Sequence, residues 1–168
     1  KSGLSVRLSD KLSVGIAAGW FLEKIAEYRG SAFHADAGIL LEPKENITLG
    51  ASATNIGSSF RLGGAGRIVS RDISLPATYR AGGSYRYGKY LGALDLVIID
   101  GDFHPHLGFE ADLHESFSAR AGYMALYDSK NITAGLSFSH RNLIIDYAFV
   151  PYGNNLGTAH MFNLTVSL

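Results

Sequence analysis

His104 and His106 flank Pro105, with Asp100 and Asp102 just upstream. Imidazole and carboxylate gathered at a loop form a donor set that zinc or calcium accepts. The same residues also make an ordinary polar hairpin loop, and that is the reading adopted. Glu110 and Asp112 stand two apart on one strand face, a spacing open to acid–base work. Like charges so placed equally serve as partners for Arg80 or Arg120, and ion pairing is expected over catalysis. Gly63-Gly64-Ala65-Gly66 lacks the strand-to-helix setting and the following Lys-Ser/Thr that a phosphate loop needs. No catalytic, cofactor-binding or metal-ligating residue is therefore expected.

The charges that remain are six in mid-strand: Arg80, Asp95, Glu110, Asp112, Arg120 and Asp146. Arg80, Asp95, Glu110 and Arg120 fall on four consecutive strand-like segments, so opposite charges meet across neighbours. Around them the polar face is Gly, Ser, Thr and Ala, while Lys is confined to turns and loops. A soluble β domain would carry Lys and Glu on its solvated face. Mid-strand charges of both signs among small residues suit the interior of a barrel, as a polar network in its lumen.

The segments that position these charges alternate with period two, the signature of a sheet with one oily and one polar face. Strands are predicted over 3–8, 12–20, 33–41, 47–55, 75–87, 91–100, 106–113, 117–124, 132–139, 143–149 and 162–168. That makes about eleven strands and no convincing helix. One set of connections is short and polar: 9–11, 42–46, 88–90, 114–116 and 140–142. The other is longer or glycine-rich: 24–31, 57–74, 100–105, 127–130 and 151–158, with 57–74 read as a mobile loop. Short turns at one end and long loops at the other characterise outer-membrane barrels, whereas a Greek-key sandwich has no reason to sort its connections so. Trp20, Tyr79, Tyr85, Tyr87, Tyr90, Tyr123 and Tyr147 are candidates for an aromatic girdle near strand ends, with plain lipid contact at mid-depth the equal alternative for several of them.

Composition narrows the field. The chain has 168 residues, no Cys, and 15 basic against 15 acidic residues. That length fits one domain or part of a larger one. Zero net charge offers no basic stripe to phosphates, so no nucleic-acid partner is expected. The apolar runs are too short for a membrane helix, which needs about 20 residues. The fold class expected is all-β, an antiparallel transmembrane β-barrel forming one domain over 1–168. Its last strand, with Phe162, Leu164, Val166 and Leu168 on one face, would be the closing strand. Bacterial single-chain barrels have an even strand count, so an odd count implies strands upstream of Lys1.

Asp146-Tyr147-Ala148-Phe149-Val150-Pro151-Tyr152-Gly153, followed by Leu156-Gly157-Thr158-Ala159-His160, resembles the C-terminal signature of the PorV/PorQ family of outer-membrane barrels, related to the FadL fatty-acid channels. Ala121-Gly122-Tyr123 and Ala93-Leu94-Asp95-Leu96 are weaker echoes. The spacer Asn154-Asn155 and the terminal Leu168 depart from the pattern. The resemblance implies a barrel of about fourteen strands in the outer membrane of a Gram-negative bacterium. It also implies a non-enzymatic role in type IX protein secretion or its assembly, with secretion-machinery subunits or secreted cargo as partners beside the membrane lipid. The alternative is a FadL-like passive channel for small hydrophobic molecules. The small and charged lumen face argues mildly against that alternative.

Overall fold

The structure, a computed structural model, describes residues 1–64, 66–129 and 131–167. Ala65 of the glycine run, Lys130 of the predicted 127–130 loop, and Leu168 on the oily face of the last strand lie outside the described residues. Alternation becomes strand along nearly the whole chain: β1 (Ser2–Ser9), β2 (Leu12–Ile25), β3 (Tyr28–Lys44), β4 (Ile47–Gly57), β5 (Gly63–Gly64), β6 (Arg67–Ile68), β7 (Thr78–Tyr87), β8 (Tyr90–Ile99), β9 (Asp102–His114), β10 (Phe117–Met124), β11 (Ile132–His140), β12 (Leu143–Pro151) and β13 (Thr158–Val166). The described residues contain no helix. The strands hydrogen-bond in the order β1-β2-β3-β4-β7-β8-β9-β10-β11-β12-β13, with β5 added to β3 and β6 to β5.

The short connections come out as two-residue turns at Asp10-Lys11, Glu45-Asn46, Gly88-Lys89, Glu115-Ser116 and Arg141-Asn142. The long set needs correcting in three places. Residues 24–31 are not a loose segment: β2 runs to Ile25, β3 starts at Tyr28, and Ile25 pairs directly with Tyr28. The turn is Ala26-Glu27, with Ala26 at φ 54°. Neither residue is a turn former, so the sequence carried no signal for it. Residues 100–105 are likewise not a loop. Asp100 and Gly101 both take positive φ, 54° and 97°, as a two-residue type I′ hairpin requires. Strand β9 therefore begins at Asp102 and takes in His104, Pro105 and His106.

The third correction is 57–74, read as a mobile loop. It is a folded cap. Phe60 and Ile73 bridge through two backbone hydrogen bonds of 2.8 Å each, and β5–β6 forms a small hairpin whose Gly63 pairs with Arg29 of β3. Phe60 and Leu62 pack with Ala32 into a buried cluster flanked by Phe21, Tyr28, Ile73 and Leu75. The Phe21 and Phe60 rings lie 5.5 Å apart. Gly30 makes the docking possible, since a Cβ there would collide with the Phe60 ring and sit 3.0 Å from the Arg61 carbonyl.

Outside the cap cluster, Arg61 clamps Asp72 through Nε at 2.6 Å and Nη2 at 2.9 Å. The Arg61 guanidinium holds the Asp72 carboxyl below the ordinary aspartate range. A carboxyl lowered in the folded state adds stability above its unfolded pKa and loses it as pH falls through the lowered value. The protection factors of the Phe60 and Leu62 amides, taken against the intrinsic exchange rate at each pH, should therefore fall on acidification through that range, and less in Asp72→Asn. An equal fall in both proteins would remove the clamp from the account.

By contact the chain divides into two compact units. Unit 1 comprises Lys1–Pro43, Leu49–Ala81 and Ile98–Asp102, and contains the cap. Unit 2 comprises Lys44–Thr48, Gly82–Val97 and Phe103–Leu168. In unit 2, β9 to β13 form an antiparallel meander whose register shifts once, between Phe117 and Ser118 of β10 where it meets β9. Its odd-numbered β9 residues Leu107, Phe109 and Leu113 are exposed, as are Tyr123, Leu136, Phe138, Ile145, Phe162 and Leu164 on the strands beside it. An uninterrupted apolar surface of this kind is unstable in water and stable against lipid.

Candidate functional site

Register alone assembles a polar row across unit 2. Asp112 pairs with Ser118, Ser118 with Ser137, Ser137 with Asp146, and Asp146 with Asn163. Directly opposed residues share a face, so one row spans β9 to β13. The next row begins with Glu110 opposite Arg120, then Gly135 and Ala148. The hydrogen bonds follow the rows. Ser118 Oγ donates to Asp112 Oδ1 at 2.7 Å, Ser137 Oγ donates to Asp146, and Asn163 Nδ2 donates to Asp146 Oδ2 at 3.2 Å.

Two arginines tie the rows together. Arg120 Nε donates to Glu110 Oε2 at 2.6 Å, and its Nη1 reaches Asp146 Oδ1 at 3.4 Å on the diagonal. The missing side chain of Gly135, which lies between Arg120 and β12, leaves that diagonal open. Arg86 of β7 reaches over β8 to both carboxylates of β9: Nη2 to Glu110 Oε1 at 2.9 Å and Nη1 to Asp112 Oδ2 at 3.0 Å. The sum is two cations against three carboxylates, a net charge of −1.

Of the six charges expected in a network, the ladder brings together Glu110, Asp112, Arg120 and Asp146. Asp95 lies on β8 with its carboxylate against Gly82 and takes part in further interactions. Arg80 lies on β7 in unit 1, and is also partnered. Arg86 was missed, although it has the same strand parity as Arg80 and the sequence placed it on the polar face. The serines and Asn163 were missed because a small hydroxyl or amide gives no signal until register sets it opposite a carboxylate. Glu110 and Asp112 each accept from a guanidinium, an arrangement for ionic cross-linking of strands. A concavity of about 340 Å³ opens beside the ladder, lined by Leu91, Ala93, Gly108, Gly122, Thr133 and Ala148 together with the ladder side chains.

His104 and His106 stand two apart on the polar face of β9. The His104 ring stacks on Tyr127 at 3.9 Å and 12°, and His106 Nε2 lies 3.0 Å from the Tyr127 hydroxyl. Among the described residues no group of three His, Cys, Asp or Glu is placed to hold a metal. In unit 1, Asp36 accepts the Asn55 backbone N–H at 2.9 Å where Asn55 takes φ 59°, and Lys1 and His34 lie beside it.

The C-terminal motif divides by face. Asp146 is a ladder residue, while Tyr147 and His160 meet on the apolar face through Tyr147 OH and His160 Nδ1 at 2.8 Å. Pro151 ends β12 opposite Thr158. Tyr152 N–H donates to the Gly157 carbonyl at 2.9 Å, and Leu156 N–H to the Gly153 carbonyl at 3.2 Å. Asn154, Asn155 and Gly157 all take positive φ. Gly153 N–H and the Asn154 amide then dock this turn on the carbonyls of Ser129 and Asp128. These residues shape a turn and carry no reactive group. Of the aromatic residues expected at a girdle, Trp20, Tyr79, Tyr85, Tyr87, Tyr90 and Tyr123 are all exposed.

No model of a known family matches the sequence, and no curated protein matches it either. The fold does match solved structures. The Ralstonia pickettii toluene transporter TbuX superposes with a TM-score of 0.65 at 13% identity, over 95% of this chain and 63% of that one. The CymD monoaromatic hydrocarbon channel superposes with a TM-score of 0.60 at 13% identity, over 97% of this chain and 69% of that one. The chain thus spans about two thirds of the length of these structures and has their all-β, antiparallel barrel fold.

Proposed function

We propose that this chain belongs to a non-enzymatic outer-membrane barrel that passes small hydrophobic molecules, the FadL-like channel that the sequence offered as its alternative. The observation that carries the reading is the fold match, over nearly all of this chain, to two proteins described as a toluene transporter and a monoaromatic hydrocarbon channel. The charged polar face does not weigh against it as the sequence implied. Glu110, Asp112 and Asp146 each accept hydrogen bonds from Arg or Ser within the ladder. An apolar solute moving past closed pairs does not have to strip water from a lone charge. Small residues on the same face leave it room.

The test is uptake of radiolabelled toluene into proteoliposomes holding the purified full chain. Initial rates about tenfold above protein-free vesicles are expected; rates equal to the vesicle background would defeat the channel. The second reading, assembly with type IX secretion subunits, is favoured by the Asp146–His160 motif alone. It would be supported by co-purification of secretion subunits or of cargo from detergent-solubilised membranes, and it takes over if uptake fails while those partners come down.

A further inference from the structure

The outward face of β2 reads Leu12, Val14, Ile16, Ala18, Trp20, Leu22, then Lys24. From Leu12 to Leu22 are ten residue steps. At about 3.4 Å per step and a tilt of about 40°, they climb ~26 Å, the height of the apolar band of an outer-membrane barrel. Trp20 and its register partner Phe33 lie near the top of that band, Leu22 and Ser31 come next, and Lys24 pairs directly with Arg29. Two cations thus stand opposite each other on the lipid side, one step beyond the end of the apolar stripe.

Like charges directly opposed across strands destabilise the pair unless an anion lies between them. Among the described residues neither the Lys24 ammonium nor the Arg29 guanidinium has a hydrogen-bond or ion-pair partner. No nearby carboxylate pairs with either cation. Glu23 has the opposite strand parity and pairs in register with Gly30, Glu27 is in the turn, and Asp72 is held by Arg61. On the next strand Arg29 faces Gly63, which offers no side chain, and beyond it Ile68 is 66% exposed. The result is an open cationic notch with apolar groups below and beside it.

We propose that Lys24 and Arg29 bind the phosphate of lipid headgroups in the leaflet on the cap side of the barrel. Trp20, Leu22 and Ile68 would contact the glycerol or sugar and acyl region of the same lipid. This rests on the membrane-barrel reading, and the site would hold the β2–β3 hairpin and its cap at a fixed height in that leaflet.

The experiment titrates the full chain in neutral detergent with bisphosphorylated lipid A and with the same lipid stripped of phosphate, and reads bound lipid by native mass spectrometry. The wild type should retain the phosphorylated form selectively. The variant Lys24→Gln/Arg29→Gln should retain it about 30-fold less, a factor of about five for each basic group. Lys11→Gln/Lys44→Gln removes the same charge from the opposite end and should change little. Equal losses in the two double variants, or equal retention of both lipids by the wild type, would overturn the site. Complete displacement by millimolar inorganic phosphate would assign the notch to free phosphate and overturn it as a lipid site. Flotation with phosphatidylcholine vesicles is read separately: a wild type that does not float removes the membrane reading, and this site with it.

Discussion

Replacing Phe60 with Ala should raise the rate of trypsin cleavage within residues 57–77 about a hundredfold while leaving the rest of the barrel folded. Phe60 is 5% exposed and packs on Ala32, Leu62 and Phe21. Truncating a buried Phe costs about 3 kcal/mol or more, from lost transfer energy and the cavity left behind. The cap has no second core to absorb that loss, and its backbone is tied mainly by the Phe60–Ile73 bridge and the two-residue strands β5 and β6. Local opening therefore bears the whole penalty, and cleavage through the open state follows its population. Arg61, Arg67 and Arg71 supply the cleavage sites. The measurement is the rate of appearance of the two fragments on a gel, with the heat-induced mobility shift of the intact barrel as control. Wild-type cleavage rates in Phe60→Ala would mean that the cap is already open and that the sequence's first description of it as mobile was right.

Glu110→Ala should lower the unfolding midpoint of the barrel in lipid by about 4–8 °C, corresponding to about 2 kcal/mol. Glu110 is the hinge of the ladder, since one oxygen accepts from Arg86 and the other from Arg120. Its side chain is 18% exposed and lies between the guanidiniums of Arg86 and Arg120, so losing it leaves those two cations facing one another. Each arginine keeps one carboxylate, Asp112 for Arg86 and Asp146 for Arg120, so the cost is the two lost charge-assisted hydrogen bonds and the repulsion left between the guanidiniums. Glu110→Gln keeps an acceptor for one arginine and should lose about half as much. In Glu110→Ala/Arg120→Ala the two effects should sum to less than additive, because the repulsion between Arg86 and Arg120 is relieved. Strict additivity would show that the ladder is a set of independent contacts.

The sequence by itself determined the fold class, the eleven strands of the main sheet path and the polarity of the two faces, but not the short β5 and β6 of the cap. Period-two alternation is a local property, and Arg, Asp and Glu held in mid-strand are legible in one dimension; the expected confinement of Lys to turns fails where β2 and β3 run on to take in Lys24 and Lys44. It also determined most of the ladder's membership, through the parity of Glu110, Asp112, Arg120 and Asp146. Connections were legible only where the turn residues announced themselves, as at Glu45-Asn46 or Gly88-Lys89. Ala26-Glu27 turns because Ile25 and Tyr28 pair across it, a tertiary demand that no local propensity encodes. Register was the larger matter that only the tertiary structure decided. A slip of one residue would carry every side chain to the other face. Only the paired strands, therefore, could set Ser137 and Asn163 on either side of Asp146, bring Arg86 over β8, and stand Lys24 against Arg29. The cap belongs there too: Phe60 has no periodic partner in sequence, and it is buried because Gly30, thirty positions earlier, left room for its ring.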